Sequence, residues 1–332
     1  MSLMLSTVSA IQLCVGCTIE FEPMDTLGAA EDPAGVGTTA EVLRLGDQGY
    51  LASSDALGGV VIVYDSEGRY QRELTREGDG PGELRTFPKF AVGDGGILLQ
   101  EWRSPTLHLF SKALDFTKTF RVGAGGSMAA DPATGGWLVS YIFGSDGPGA
   151  GVALIDEGGD IARSMQPDTE SPSLRFFTGD VIRDTESRIW IASVVGMVDV
   201  FDENLERLAS LELALPGMEA WNPETGPAAP PAMVTDMRLA PDGSGVWVFA
   251  FAPVIDPDEI RRLQTRPALE ELFDTFIYSV RLDPSGLTLV GTDRFDNMVR
   301  PLDGDFAYDL VETPDGNRRV RVGRLRFAKE GG

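Results

Sequence analysis

One β-rich run recurs along this chain at a fixed spacing. Each copy ends on a large apolar residue, usually with Asp behind it. The copies close at Tyr64, Phe110, Ile155, Phe201, Leu282 and Phe327, so the intervals are 46, 45, 46, 81 and 45 residues. A period of this length holding several short β-runs is the signature of propeller blades, each of which buries its faces on its neighbours. The long interval exceeds the period by about 36 residues and marks an insertion.

The rest of a blade can be read inside each period. Gly49–Ala52, Gly96–Leu99, Gly136–Val139, Arg188–Ile191 and Gly245–Val248 form second strands. Phe90–Val92, Ser127–Ala129, Gly179–Ile182 and Val234–Leu239 are candidates for the innermost strands. Gly68, Gly159 and Gly286 fall in the hairpins after the repeated run, where a positive φ is needed. The expectation is one all-β domain over 18–332: six four-stranded antiparallel blades closed into a ring. Closure removes the free sheet edges of an open array. The sixth repeat runs out of chain after Phe327, so Thr18–Phe21 is its expected outer strand. The sequence leaves open whether blade 6 combines three strands with one or two with two.

The segment Arg76-Glu77-Gly78-Asp79-Gly80-Pro81-Gly82-Glu83-Leu84, followed by Phe87-Pro88, resembles the G-x-G-x-G-P-G-E-F…P linker of NHL-type six-bladed β-propellers. Bacterial secreted and lipoprotein members carry that linker between their first two blades. The resemblance covers residues 40–328 and implies the same ring. The three glycines permit a sharp crossing and Pro81 stiffens it. A phosphate cradle is excluded: no G-K-[ST] follows, and Glu77, Asp79 and Glu83 would repel an anion.

Residues 3–19 carry no charge, the length of a signal h-region and short for a membrane span. Both cysteines lie at its end, Cys14 and Cys17, and Gly16 precedes Cys17 as acylation of a lipoprotein cysteine requires. Residues 1–17 therefore read as an export segment with Cys17 as the lipidation site. The expected location is the periplasm or outer envelope. A zinc site fails, because one histidine and no further cysteine cannot complete four ligands.

Net charge is −23, which excludes nucleic-acid partners and leaves a lipid anchor as the one route to a membrane. His108 is the only histidine and falls on a third strand, away from the channel, so it reads as a structural residue and no His-based triad can be centred there. The expected role is non-catalytic binding of a protein, small molecule or sugar by a monomer without cofactor. The alternative is a Ca²⁺-dependent lactonase or esterase of the gluconolactonase or paraoxonase type, with Asp131, Asp180, Asp184 and Asp236 as oxygen ligands.

Up-and-down blades send the b–c loops and d–a crossings to one side. The long segments 76–88, 143–151, 166–177, 214–233 and 253–276 are all of those two kinds, so one face should be elaborated and the other trimmed. Loops on a rigid scaffold are where binding concentrates. Trp102, Arg103 and Trp221 are the candidate contacts there, since an aromatic beside Arg can stack on a sugar or peptide. The blade 5 insertion, about 253–276, has the capping signature of a helical hairpin at Asp256-Pro257 and presents Ile260, Leu263, Leu269 and Leu272 as the inner face of a lid. Trp137, Trp190 and Trp247 stand in second strands and are expected to pack between blades.

Overall fold

The computed structural model describes residues 17–28, 40–102, 104–124, 126–144, 147–165, 180–204, 206–218, 232–240, 243, 245–254, 272–312 and 317–329. The segment 1–16, Arg103, the stretch 166–177, Trp221, Ile260, Leu263 and Leu269 lie outside them.

Strand β1 (Cys17–Thr26) belongs to the last blade. Blade 1 is β2 (Ala40–Arg44), β3 (Tyr50–Ser54), β4 (Val61–Tyr64) and β5 (Tyr70–Glu73). Blade 2 is β6 (Pro88–Gly93), β7 (Gly96–Glu101), β8 (Thr106–Phe110) and β9 (Phe116–Arg121). In blade 3 the innermost strand is broken into β10 (Gly123–Ala124) and β11 (Met128–Ala130), both paired to β12 (Trp137–Gly144), then β13 (Gly147–Ile155) and β14 (Ile161–Met165). Blade 4 is β15 (Asp180–Arg183), β16 (Ile189–Ala192), β17 (Met197–Phe201) and β18 (Arg207–Glu212). Blade 5 is β19 (Met233–Leu239), β20 (Gly245–Pro253), β21 (Phe273–Asp283) and β22 (Gly286–Phe295). Blade 6 is β23 (Arg300–Pro301), β24 (Phe306–Glu312) and β25 (Arg318–Lys329), with β1 as its outer strand. The seam is therefore three strands plus one. Cys17 opens β1 opposite Lys329, and Ile19 faces Phe327.

The spacing of the repeat has a local cause. Its Asp begins the c–d turn and folds back on it. Asp65 Oδ1 accepts from the backbone N–H of Glu67 at 2.9 Å and of Arg69 at 3.0 Å, and Asp202 Oδ1 does the same for Asn204 and Glu206 at 2.8 Å each. A short acid side chain that mimics a backbone acceptor stabilises such a turn. The strands just before it are sandwiched between two other blades, so Val61–Tyr64 is buried throughout instead of alternating. The outer strand β9 alternates, as one face meets solvent.

The apolar core divides into six clusters, one per interface between neighbouring blades. Leu84, Ile97 and Phe110 join blades 1 and 2, while Leu98, Trp137 and Ile155 join blades 2 and 3. Leu138, Val181 and Ile189 join blades 3 and 4, and Trp190, Met237 and Tyr278 join blades 4 and 5. Ile19, Trp247 and Leu325 join blades 5 and 6, and Tyr50, Tyr64 and Tyr308 close the ring between 6 and 1. The tryptophans do pack between blades, but not equivalently. Trp190 and Trp247 face the following blade; Trp137 faces the preceding one. Trp137 stands opposite Ile155, the last residue of its run, whereas Trp190 stands opposite Val200, one residue before Phe201. A one-residue slip turns a side chain to the other face.

One loop differs from expectation. Residues 143–151 are mostly hairpin, since β12 and β13 pair as far as Gly144 with Gly147. Of the blade 5 insertion the described part is a tight neck, where Val254 N donates to Leu272 O at 2.9 Å and Leu272 is buried; the helical hairpin expected within it lies outside the described residues.

Candidate functional site

The innermost strands surround a central cavity of about 440 Å³ that takes lining residues from all six blades. Val42, Phe90, Met128, Ile182, Leu239 and Leu302 supply its apolar wall. The lining comes from the middles and C-terminal ends of these strands and from residues just beyond, such as Pro132 and Gly304. The cavity therefore lies toward the a–b turns, the trimmed side.

Its charges are spent on one another. Arg183, nearly buried, donates to Asp131 at 3.0 Å. Arg238 meets Asp180 at 3.1 Å and Asp236 at 3.8 Å. Asp180 also accepts from Met237 N at 2.7 Å and from Ser127 Oγ. Burial pushes the Asp180 carboxyl up, against the Arg238 guanidinium that holds it down. Arg300 donates to Glu41 at 3.2 Å, and Tyr308 donates to Ala40 O at 2.9 Å, its phenol kept protonated by burial.

The four aspartates offered as oxygen ligands are thus scattered by role. Asp131 holds Arg183, and Asp180 and Asp236 bracket Arg238. Asp184 turns away to accept from Trp190 Nε1 at 2.9 Å and Arg188 Nε at 2.6 Å. Among the described residues no three His, Cys, Asp or Glu side chains form a metal-ligating group. One acceptor is left over, since Asp236 Oδ2 is buried without a hydrogen-bond partner among the described residues.

The loop face carries a second concavity, of about 710 Å³, at blade 2. Its roof is the glycine-rich linker, folded back on itself: Gly78 N donates to Leu84 O and Leu84 N to Arg76 O, both at 3.1 Å, and Glu83 Oε2 accepts from Gly80 N at 2.8 Å. Its rim is Glu101, Ser104, Pro105 and Thr106 of the b–c turn, and its floor is β8 and β9. Trp102 stands on that turn, 43% exposed, stacked on Phe87 with ring centres 5.7 Å apart and Lys89 Nζ 5.5 Å from its ring. Of the three candidate contacts only Trp102 is described; Arg103 and Trp221 are not, and of the lid residues only Leu272 is.

His108 lies in this second concavity, not in the channel. Its position on a third strand placed it off the channel correctly. Nothing in the pattern showed that the linker folds over the same strand, so the sole histidine and the linker motif read as unrelated features.

The sequence matches no family model and no curated protein. Its fold resembles that of solved structures from Bacteroides. A Bacteroides fragilis protein predicted to be exported aligns with a TM-score of 0.55 at 10% identity, over 94% of this chain and 96% of that one. A member of the DUF4221 family from Bacteroides vulgatus aligns with a TM-score of 0.54 at 10% identity, over 94% of this chain and 99% of that one. At such identity the likeness establishes the shared six-bladed ring.

Proposed function

We propose that the chain is a non-catalytic binding propeller of the bacterial cell envelope, capturing a small molecule or a protein on the loop face around its channel. The observation that carries this reading is the pairing of the channel's ionisable groups. Asp131 and Asp180 are held by Arg183 and Arg238, and such pairing favours a structural role for them over that of a base or cation ligand. The exposed Trp102 and the cleft beside it give the loop face its contact surface. The linker's tight, self-bonded conformation supports an NHL-type affiliation.

Export agrees with the predicted location of the Bacteroides fragilis neighbour and with the uncharged segment before Cys17. Full-length protein made in a bacterium should partition with membranes, and Cys17→Ser should release it. Equal solubility of the two forms would remove the lipid anchor. The binding reading is tested with lactone and aryl-ester substrates, with and without Ca²⁺. The expected rate is the uncatalysed one. A Ca²⁺-dependent rate that Asp180→Asn abolishes would establish the hydrolase instead.

A further inference from the structure

We propose that the cleft at blade 2, beneath the glycine-rich linker, binds a neutral, hydroxyl-rich ligand, a mono- or disaccharide, with His108 at its floor. The inference rests on the loop-face reading and adds the ligand class and the contacting residues.

His108 is 5% exposed. Its Nδ1 lies 3.2 Å from Thr119 Oγ1, and its Nε2 is buried with no hydrogen-bond partner among the described residues. An unmet buried nitrogen is costly unless something fills the space before it. The register places Thr106 opposite Arg121 and His108 opposite Thr119, so one face of the β8–β9 hairpin presents imidazole, guanidinium and hydroxyls together. Glu101 offers an acceptor from the rim, because among the described residues only its Oε1 takes a hydrogen bond, from Arg85 N at 2.8 Å.

Charge selects among ligand classes. An anion entering the cleft would meet Glu83 and Glu101, in a chain of net charge −23. A cation would meet Arg121; Arg85 and Lys118 are already paired, with Asp79 and Asp160. A neutral ligand that both donates and accepts avoids both conflicts. Burial lowers the His108 pKa, outweighing the nearby Glu101 carboxylate that raises it, so the ring is neutral near pH 7 and offers one donor and one acceptor. Pro81 and Phe116 supply apolar surface for the C–H face of a sugar ring. The volume lies within the range of small-molecule sites.

Since the chain has one histidine, its imidazole gives a single set of long-range ¹H–¹⁵N correlations. The experiment titrates full-length protein with glucose, N-acetylglucosamine, maltose and cellobiose, and with acetate and methylammonium as charged controls. At least one saccharide should shift the His108 signals saturably. Glu101→Ala and Arg121→Ala, both at partly or fully exposed positions, should each weaken that binding by about tenfold, as loss of one hydrogen bond does. Their unchanged melting midpoints would show that the loss is local. A shift produced only by acetate or methylammonium, or by none of the probes, would overturn the inference. A saccharide that perturbs the Trp102 indole and leaves His108 still would also overturn it, while leaving the loop-face reading intact.

Discussion

Strand β1 is the seam of the ring, and its loss should be felt as loss of the fold. Two of its contacts set the scale. Ile19 is buried among Trp247, Phe249, Ala307 and Leu325, and its N–H reaches Asp293 Oδ1 in blade 5 at 3.3 Å. Leu27, just past the strand, is buried between blades 6 and 1 beside Tyr50, Tyr64 and Tyr308. Truncating a buried aliphatic side chain to Ala costs about 2–5 kcal/mol, so Ile19→Ala and Leu27→Ala should each cost about 3 kcal/mol. The two sites serve different interfaces and should add. Together they remove about 6 kcal/mol from a total stability that for natural domains is about 5–15 kcal/mol. Urea unfolding followed by circular dichroism reads this directly. With a slope of about 3 kcal/mol/M, each single variant should lower the midpoint by about 1 M. Met24→Ala is the control: the residue is on the same strand and 51% exposed, so its midpoint should stay put. If Ile19→Ala loses no more than Met24→Ala, β1 is an annex and the ring closes without it.

Two further outcomes follow from local geometry. Gly82 has φ +75°, and a Cβ there would approach the Phe116 ring to 3.2 Å. Gly82→Ala should cost about 1–2 kcal/mol by thermal melting, the cost of left-handed backbone for an L residue, and an unchanged midpoint would show that the linker tolerates another path. Hydrogen bonds from Arg69 and Glu67 hold the Asp65 carboxyl below 3.8, and those from Ser285 do so for Asp283. A carboxyl depressed in the folded state adds stability above its unfolded pKa and loses it as pH falls through the folded value. Stability should therefore decline as pH drops below 3.8, and Asp65→Asn, which keeps the turn acceptor but not the titration, should make that decline shallower.

What the sequence disclosed and what it hid have separate physical origins. The blades were legible because each repeat carries its own punctuation: a buried run, then an Asp or Ser that closes the turn by bonding backbone two and four residues ahead. Such signals are local. The faces of the tryptophans were not legible, because a shift of one position inverts the face and sequence spacing tolerates that shift. The cleft was hidden for a different reason. It is assembled from a d–a linker, a b–c turn and two outer strands, and only the fold-back of Glu77 onto Leu84 brings them over His108. Trp102 stood out in the sequence for its place at the end of a second strand beside Arg103, and it is exposed in the fold.

The aspartates near the channel were legible as a cluster, but their pairing with arginines of neighbouring blades was not. Innermost strands of neighbouring blades do not hydrogen-bond backbone to backbone as strands within a blade do, so side chains must tie them together. The ties run right round the ring. Ser53 Oγ donates to Pro88 O at 2.9 Å, Lys89 Nζ to Gly126 O at 3.3 Å, and Arg238 Nε to Leu302 O at 3.3 Å. Arg300 reaches Glu41 across the seam. Asp180 is the junction of this belt, since it holds Ser127 of blade 3 and both Met237 N and Arg238 of blade 5. Asp180→Ala leaves Arg238 without its better partner and should cost about 3–5 kcal/mol, as breaking one side of a buried pair does. Asp236 meets Arg238 only at 3.8 Å, so Asp236→Ala should cost about 1 kcal/mol or less. Urea midpoints of the two variants, with and without Ca²⁺, decide between tie and ligand. A tie predicts unequal losses and no response to the cation. Equal losses, with a wild-type midpoint that rises in Ca²⁺ and a variant midpoint that does not, would make Asp180 a ligand and the belt a metal site.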